Sequence, residues 1–396
     1  MKTFVVGAIA LCSLLNANEE VAAVLKRDLK KQASSVCSSP NTCCYAPGYN
    51  GAFIKEICNP INLSFNGSFI YWKPAQEGMQ TYTLYSAEST NPGLTSVLQN
   101  NVFQTGFIQF KYKPGFQVGF EIESPYDNWR IYSEYTWYHH QFSDFFNFPG
   151  PSTLLSGFEV SLLPLFLLDP SPIYLLLQPS TLNSLFDLHL NWIFLELARV
   201  YYVGDKLTLR THFGLRGDRN TQTITQDFNL SQTSDEPTPA NDRPVSGKVR
   251  EWSHSWALGP RAGISADYLL PYDFKVFGNL ALSLLYAKFC LKGNQNSILV
   301  TPFDTFTETV RLNPITQETA SPNLEMGIGT GWGRSFCSNA FRLQLLVSYD
   351  LNALWNQNMF LELDRQSTGA GTVNSPQILF HDLFLQGLTV KASIDL

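Results

Sequence analysis

The sequence predicts an all-β chain, a transmembrane antiparallel up-and-down β-barrel of about 10–12 strands with short periplasmic turns and long extracellular loops. The first sign is a hairpin from Trp256 to Cys290. Its first arm alternates Trp256, Leu258, Pro260, Ala262, Ile264, Ala266 and Tyr268 with Ala257, Gly259, Arg261, Gly263, Ser265 and Asp267. After Pro271-Tyr272-Asp273 the second arm sets Phe274, Val276, Gly278, Leu280, Leu282, Leu284 and Tyr286 against Lys275, Asn279, Ala281, Ser283 and Ala287, with Phe277 and Leu285 as exceptions. A period of two marks a strand with unlike faces, because successive Cβ atoms point to opposite sides of a sheet. Each arm exceeds the roughly five or six residues of a globular strand and reaches the about 9–11 that cross a bilayer. The second sign is composition. Charged residues are 15% and aromatics 14%, at a mean hydropathy of −0.08, where soluble chains carry about 25% charge. Low charge without high hydropathy suits a wall with one face on lipid and one on water. The third sign is loop length: short turns near 126, 204, 272 and 338 alternate with long loops at 86–104, 143–184, 229–249, 293–305 and 356–377. Outer-membrane barrels sort their connections in this way, whereas a soluble sandwich has no reason to.

Taken in order, residues 1–23 read as a secretory signal peptide: Lys2, an apolar stretch from Phe4 to Leu15, then cleavage after Ala17 or Ala23. Residues 24–61 form a Cys-containing N-terminal segment, periplasmic or plugging the barrel, and 62–396 the barrel itself. The first strand alternates Leu63, Phe65, Gly67, Phe69 and Tyr71 with small polar residues. Phe116, Val118, Phe120 and Ile122 carry the next, which turns at Ser124-Pro125-Tyr126-Asp127-Asn128 into Trp129, Ile131, Tyr135 and Trp137. The apolar, proline-broken stretch 143–184 is a long connection that either folds into the lumen or packs outside it. A hairpin over 185–228 turns at Val203-Gly204-Asp205, and two strands are expected across 306–335. Phe341, Leu343, Leu345, Val347, Tyr349 and Leu351 make another strand, and Leu388, Val390, Ala392, Ile394 and Leu396 close the chain.

The apolar faces meet lipid and the opposite faces line a lumen. Candidate pore-lining residues are Gln117, Glu121, Lys206, Arg210, His212, Arg216, Arg261, Asp267, Arg342, Gln344, Lys391 and Asp395. Both signs are present, which suits a water-filled passage of modest selectivity. Aromatics near strand ends (Trp72, Trp129, Tyr132, Trp137, Tyr138, Trp192, Tyr201, Trp252, Trp256, Tyr268, Tyr272, Trp332, Tyr349 and Trp355) suit the interfacial girdles. Disulfide candidates are Cys37, Cys43, Cys44, Cys58, Cys290 and Cys337, with no connectivity implied. No cofactor or metal site is expected: His139 and His140 are adjacent on a strand and so face opposite ways. Gly327, Gly329, Gly331 and Gly333 alternate within a strand, so they mark a bend or a close backbone approach instead of a nucleotide loop. No Gly-x-Ser-x-Gly elbow occurs, and the reading is not that of an enzyme. A net charge of −6 argues against nucleic acid as a partner.

Several of these stretches resemble the major outer membrane protein family of Legionella and of chlamydia-related bacteria. They are Phe65-Asn66-Gly67-Ser68-Phe69-Ile70-Tyr71-Trp72-Lys73, Lys113-Pro114-Gly115-Phe116-Gln117-Val118-Gly119, Trp129 through Trp137, Leu258-Gly259-Pro260-Arg261-Ala262-Gly263, Phe277-Gly278-Asn279 through Tyr286, and Leu385-Gln386-Gly387-Leu388-Thr389-Val390. The resemblance runs from about residue 62 to the end. It implies a pore-forming barrel abundant at the cell surface, sometimes trimeric, sometimes disulfide cross-linked to other envelope proteins, with no catalytic residues. Such chains commonly end in an aromatic residue read by the barrel assembly machinery; here Leu396 stands there. The expected function is an outer-membrane porin passing ions and small hydrophilic solutes. A surface adhesin or coat protein anchored by the barrel is the alternative.

Overall fold

A computed structural model describes residues 62–88, 99–124, 129–147, 155–160, 177–203, 206–232, 243–300, 305–336, 341–368 and 371–396. The expected leader, the segment 24–61, most of the apolar stretch 143–184, and Cys37, Cys43, Cys44, Cys58 and Cys337 lie outside them.

The strands are β1 (Asn62–Gln76), β2 (Gln80–Glu88), β3 (Gln99–Phe107), β4 (Lys113–Glu123), β5 (Trp129–Asn147), β6 (Leu155–Val160), β7 (Leu177–Val203), β8 (Leu207–Gln232), β9 (Arg243–Leu269), β10 (Phe274–Val300), β11 (Thr305–Phe336), β12 (Phe341–Thr368) and β13 (Gly371–Asp395). Ten of them close into a barrel in the order β1-β13-β12-β11-β10-β9-β8-β7-β5-β4, and the other three form a small sheet, β3-β2-β6. Closure is made by β1, antiparallel to β13 on one edge and to β4 on the other. A closed ring leaves no open edge, so the barrel's backbone amides are paired within the wall, as hydrocarbon surroundings demand.

The β9–β10 hairpin shows why the sequence folds this way. Pro271 presets the turn. Tyr272 (φ 64°) and Asp273 (φ 63°) then take left-handed backbone, a region Asp tolerates and Tyr rarely visits. The amide of Leu270 closes the turn by donating to the carbonyl of Phe274 at 2.8 Å. From there Leu282 pairs with Ala262 and Tyr286 with Leu258, so the apolar rows of both arms share the outer face. Large apolar side chains accordingly stand outside the wall, among them Phe69, Leu282 and Ile328.

The expected loops need correction. Segments 293–305 and 356–377 are mostly strand: β10 and β11 stay paired from Phe274↔Trp332 to Val300↔Thr305, and β12 pairs with β13 out to Thr368↔Gly371. The stretch 306–335 is one strand of 32 residues, not two. Segments 86–104 and 229–249 are partly strand as well, in β2, β3, β8 and β9. The reason is physical. Beyond the membrane the outward face of a hairpin meets water while its inward face packs into the filled lumen, so the apolar-outward pattern that marks the spanning part lapses there although the strands stay paired. The 27 residues of β9 span roughly 65–70 Å along the barrel axis at usual rise and tilt, against an apolar band of about 25 Å. The strands therefore project far beyond the bilayer at the end opposite the short turns.

Candidate functional site

Strand parity decides what faces the lumen, and the lumen divides by height into three zones. At the short-turn end lies a cavity of about 400 Å³ lined by polar and charged groups. Here Glu121 on β4 accepts from Arg130 on β5 at 2.9 Å and faces Arg210 on β8 at 3.2 Å. Asp267 meets Lys275 across the β9–β10 turn at 2.8 Å. Asp395 on the last strand accepts from Gln344 at 2.7 Å and also from Ser64 on the first. Lys391 donates to the Tyr132 hydroxyl at 2.8 Å and to Glu134 at 3.0 Å.

The middle zone is a layer of buried ions. Arg216 is fully buried. Its guanidinium grips Asp218 with two bonds of 2.7 and 3.0 Å, donates to Glu325, and lies over the Trp192 ring at 4.9 Å. Arg261 reaches Glu325 at 2.6 Å from the other side, pairs with Glu196, and covers Phe194 at 4.1 Å. His212 completes the layer through Glu196 at 2.8 Å. Amides sit directly above: Asn220 donates to Gln357 at 2.8 Å and Gln76 to Gln222 at 2.7 Å. Such a layer persists because each charge is bracketed; an unbracketed one is expensive in a dry interior.

The outer zone is apolar. Leu182, Phe186, Leu188, Leu190, Phe228, Phe289, Leu291, Phe360 and Leu383 are buried there in one cluster. The segment between β1 and β2 adds Met79, and that between β3 and β4 adds Ile108 and Phe110; Phe110 packs edge-on against Phe142 and Phe186. The Gln226 amide donates to the Thr81 carbonyl at 2.9 Å. Among the described residues, then, what fills the outer lumen comes from the β1–β4 connection and from inward apolar side chains of the wall.

The sequence candidates distribute unevenly. Gln117, Glu121, Arg210, Asp267, Arg342, Gln344, Lys391 and Asp395 line the cavity, and His212 and Arg261 close its floor. Arg216 is sealed beneath the floor, and Lys206 sits exposed at the turn before β8. Period two also identifies groups the reading passed over. Arg130, Tyr132 and Glu134 alternate with outward Trp129, Ile131 and Tyr135, and Glu196 faces inward for the same reason. The same parity corrects the girdle: Trp72, Tyr132, Tyr138 and Trp192 point inward and are buried. His139 stacks on His189 at 4.5 Å, while His140 contacts the Pro114 carbonyl. Cys290 is a half-buried free thiol facing outward between His254 and Thr316.

Of the glycine series on β11, Gly329 lies against a neighbouring backbone, whereas Gly327, Gly331 and Gly333 face side chains. A Cβ on Gly327 would meet Asn279 Oδ1 at 2.3 Å, and one on Gly329 the Val347 carbonyl oxygen at 2.3 Å.

A family model described as the Legionella pneumophila major outer membrane protein precursor matches residues 57–396. The chain belongs to this family. It is a protein of the bacterial outer membrane, and its outward apolar rows contact lipid. No curated protein matches the sequence. Solved structures with a similar fold include the outer membrane protease OmpT of Escherichia coli (10% identity, 85% of this chain and 96% of that one, TM-score 0.33). A Pseudomonas aeruginosa FadL homologue follows (7% identity, 85% and 90%, TM-score 0.28). A major outer membrane protein of Thermus thermophilus is similar too (8% identity, 85% and 100%, TM-score 0.24).

Proposed function

We propose that this family member is a narrow outer-membrane channel for ions and small hydrophilic solutes, a porin of restricted bore and not an enzyme. The observation that carries the reading is the cavity of about 400 Å³ at the periplasmic end, walled by fixed charges of both signs. An anchor alone has no use for ionised groups held open to water inside its wall. Outside the buried layer the lining counts six carboxylates (Glu121, Glu123, Glu134, Asp267, Asp350, Asp395) against five Lys and Arg side chains (Arg130, Arg210, Lys275, Arg342, Lys391). That balance favours cations weakly. Passage further outward requires the Arg261–Glu325 layer and the β1–β4 connection to yield, so the conductance is small.

Planar-bilayer recording of the purified, refolded chain tests this. Small stepwise openings with a cation-to-chloride permeability ratio above one support the channel. Electrical silence supports the second reading, a surface adhesin or coat protein whose barrel is an anchor; the apolar filling of the outer lumen is the observation in its favour. Proposed with the same reading are a cleaved leader over residues 1–23, a periplasmic or plugging role for 24–61, insertion by the barrel assembly machinery, a trimer, and disulfides from the cysteines named above.

A further inference from the structure

The outer wall of β8, β9 and β10 carries a band of positive charge that the channel leaves unused. Its height can be read from the aromatic residues. Trp256 and Tyr286 meet edge-on at 5.8 Å on the outward face. Each stands 12 residues along its strand from an aromatic near the short turn, Tyr268 and Phe274 respectively. At about 3.3 Å per residue and a tilt of about 40°, that separation is roughly 30 Å, the apolar band together with its interfaces. Trp256 and Tyr286 therefore mark the outer interface.

At and just beyond this level four outward positions are basic. Arg219 and Lys288 stand in register with Trp256 on either side, Lys292 stands beside Trp252, and Arg250 follows one outward position further. The Arg250 guanidinium lies over the Trp252 ring at 5.6 Å. His254 shares the band, its ring bonded to Thr221 at 3.0 Å. Glu318 pairs with Lys288 at 3.1 Å, and the acids flanking the band are Asp227, paired with Lys248 at 3.2 Å one outward position beyond Arg250, and Asp187, in register with Thr223 beside Trp252. Directly below, Leu258, Leu282 and Leu284 stand exposed on the lipid face.

We propose that Arg219, Arg250, Lys288 and Lys292 form a docking surface for the phosphorylated headgroups of the anionic glycolipid in the outer leaflet. Guanidinium and ammonium groups match phosphate in charge and in hydrogen-bond geometry, and a basic cluster at headgroup height is drawn to an anionic surface. The leucines beneath give the acyl chains a landing, so head and tail of one lipid are met by one strip of wall. The inference needs the outer-membrane position of the barrel but not its conduction.

The test titrates the refolded full chain, in neutral detergent, with bis-phosphorylated lipid A and with the same lipid stripped of its phosphates, binding being followed by native mass spectrometry. Wild type is expected to prefer the phosphorylated form by roughly tenfold or more. R219Q/R250Q/K292Q is expected to lose that preference, and R334Q, on the wall near the short turns, to keep it. Should the triple variant fail to fold, R219Q alone is expected to lose part of the preference and R219K to restore it. Equal binding of both lipids by wild type, or an undiminished preference in the variants, overturns the proposal. So does a dimer dispersed by the triple variant without regard to lipid, which would assign the band to a second copy.

Discussion

Arg216 shows what a buried charge demands of its neighbours. Asp218 and Glu325 both lean on it, so R216M strands Asp218 in a dry layer and leaves Glu325 to Arg261 alone. A loss of about 3–5 kcal/mol is expected, read as an earlier urea midpoint of the barrel in lipid vesicles. Removing Asp218 together with Arg216 is expected to lose less, because fewer charges are stranded. Gly329 makes the steric counterpart. Its missing Cβ leaves room for the Val347 carbonyl, a backbone atom that cannot step aside. G329A is expected to cost about 1–3 kcal/mol in the same assay. Gly67 has nothing within 4 Å of where a Cβ would stand, and G67A is expected to stay within about 0.5 kcal/mol of wild type. Close backbone approach at Gly329 was one of two roles legible from the spacing of the β11 glycines. The partners of Arg216 were not, since Glu325 lies 109 residues away and only the ring closure brings it across.

At the scale of the element, the β9–β10 hairpin was the clearest reading, because lipid on one face and water on the other force alternation along the spanning part. Where the same strands leave the membrane the constraint lapses, and sequence reasoning mistook paired strand for loop at 293–305 and 356–377. It failed again on Tyr132 and Trp192, aromatics assigned by their distance from a strand end when parity sets the face. The turn itself gives a prediction. Tyr272 holds a left-handed backbone that costs a non-glycine residue roughly 1–2 kcal/mol. Y272N/D273G, the pair such turns favour, is expected to stabilise the barrel by about 1 kcal/mol and to speed its refolding into vesicles, followed by heat-modifiable mobility on gels.

The whole molecule is a cylinder with apolar rows outward and an interior graded from wet to dry. Charges line the periplasmic end, bracketed ions close the middle, and apolar side chains with the β1–β4 connection fill the outer half. Alternation along each strand made the outside legible. The filling of the outer half was not, because inward residues such as Leu188, Leu190 and Phe289 belong to no local pattern that separates a dry lumen from a wet one. Thiol accessibility tests this arrangement most directly. In a chain whose own cysteines are replaced by serine, single cysteines are placed at Asn279, Leu282 and Ala287, and a membrane-impermeant maleimide is applied to the reconstituted protein with the short-turn end open to the reagent. Rapid labelling at 279 with protection at both 282 and 287 is the expected result; equal labelling of all three, or protection of 279, would contradict the account.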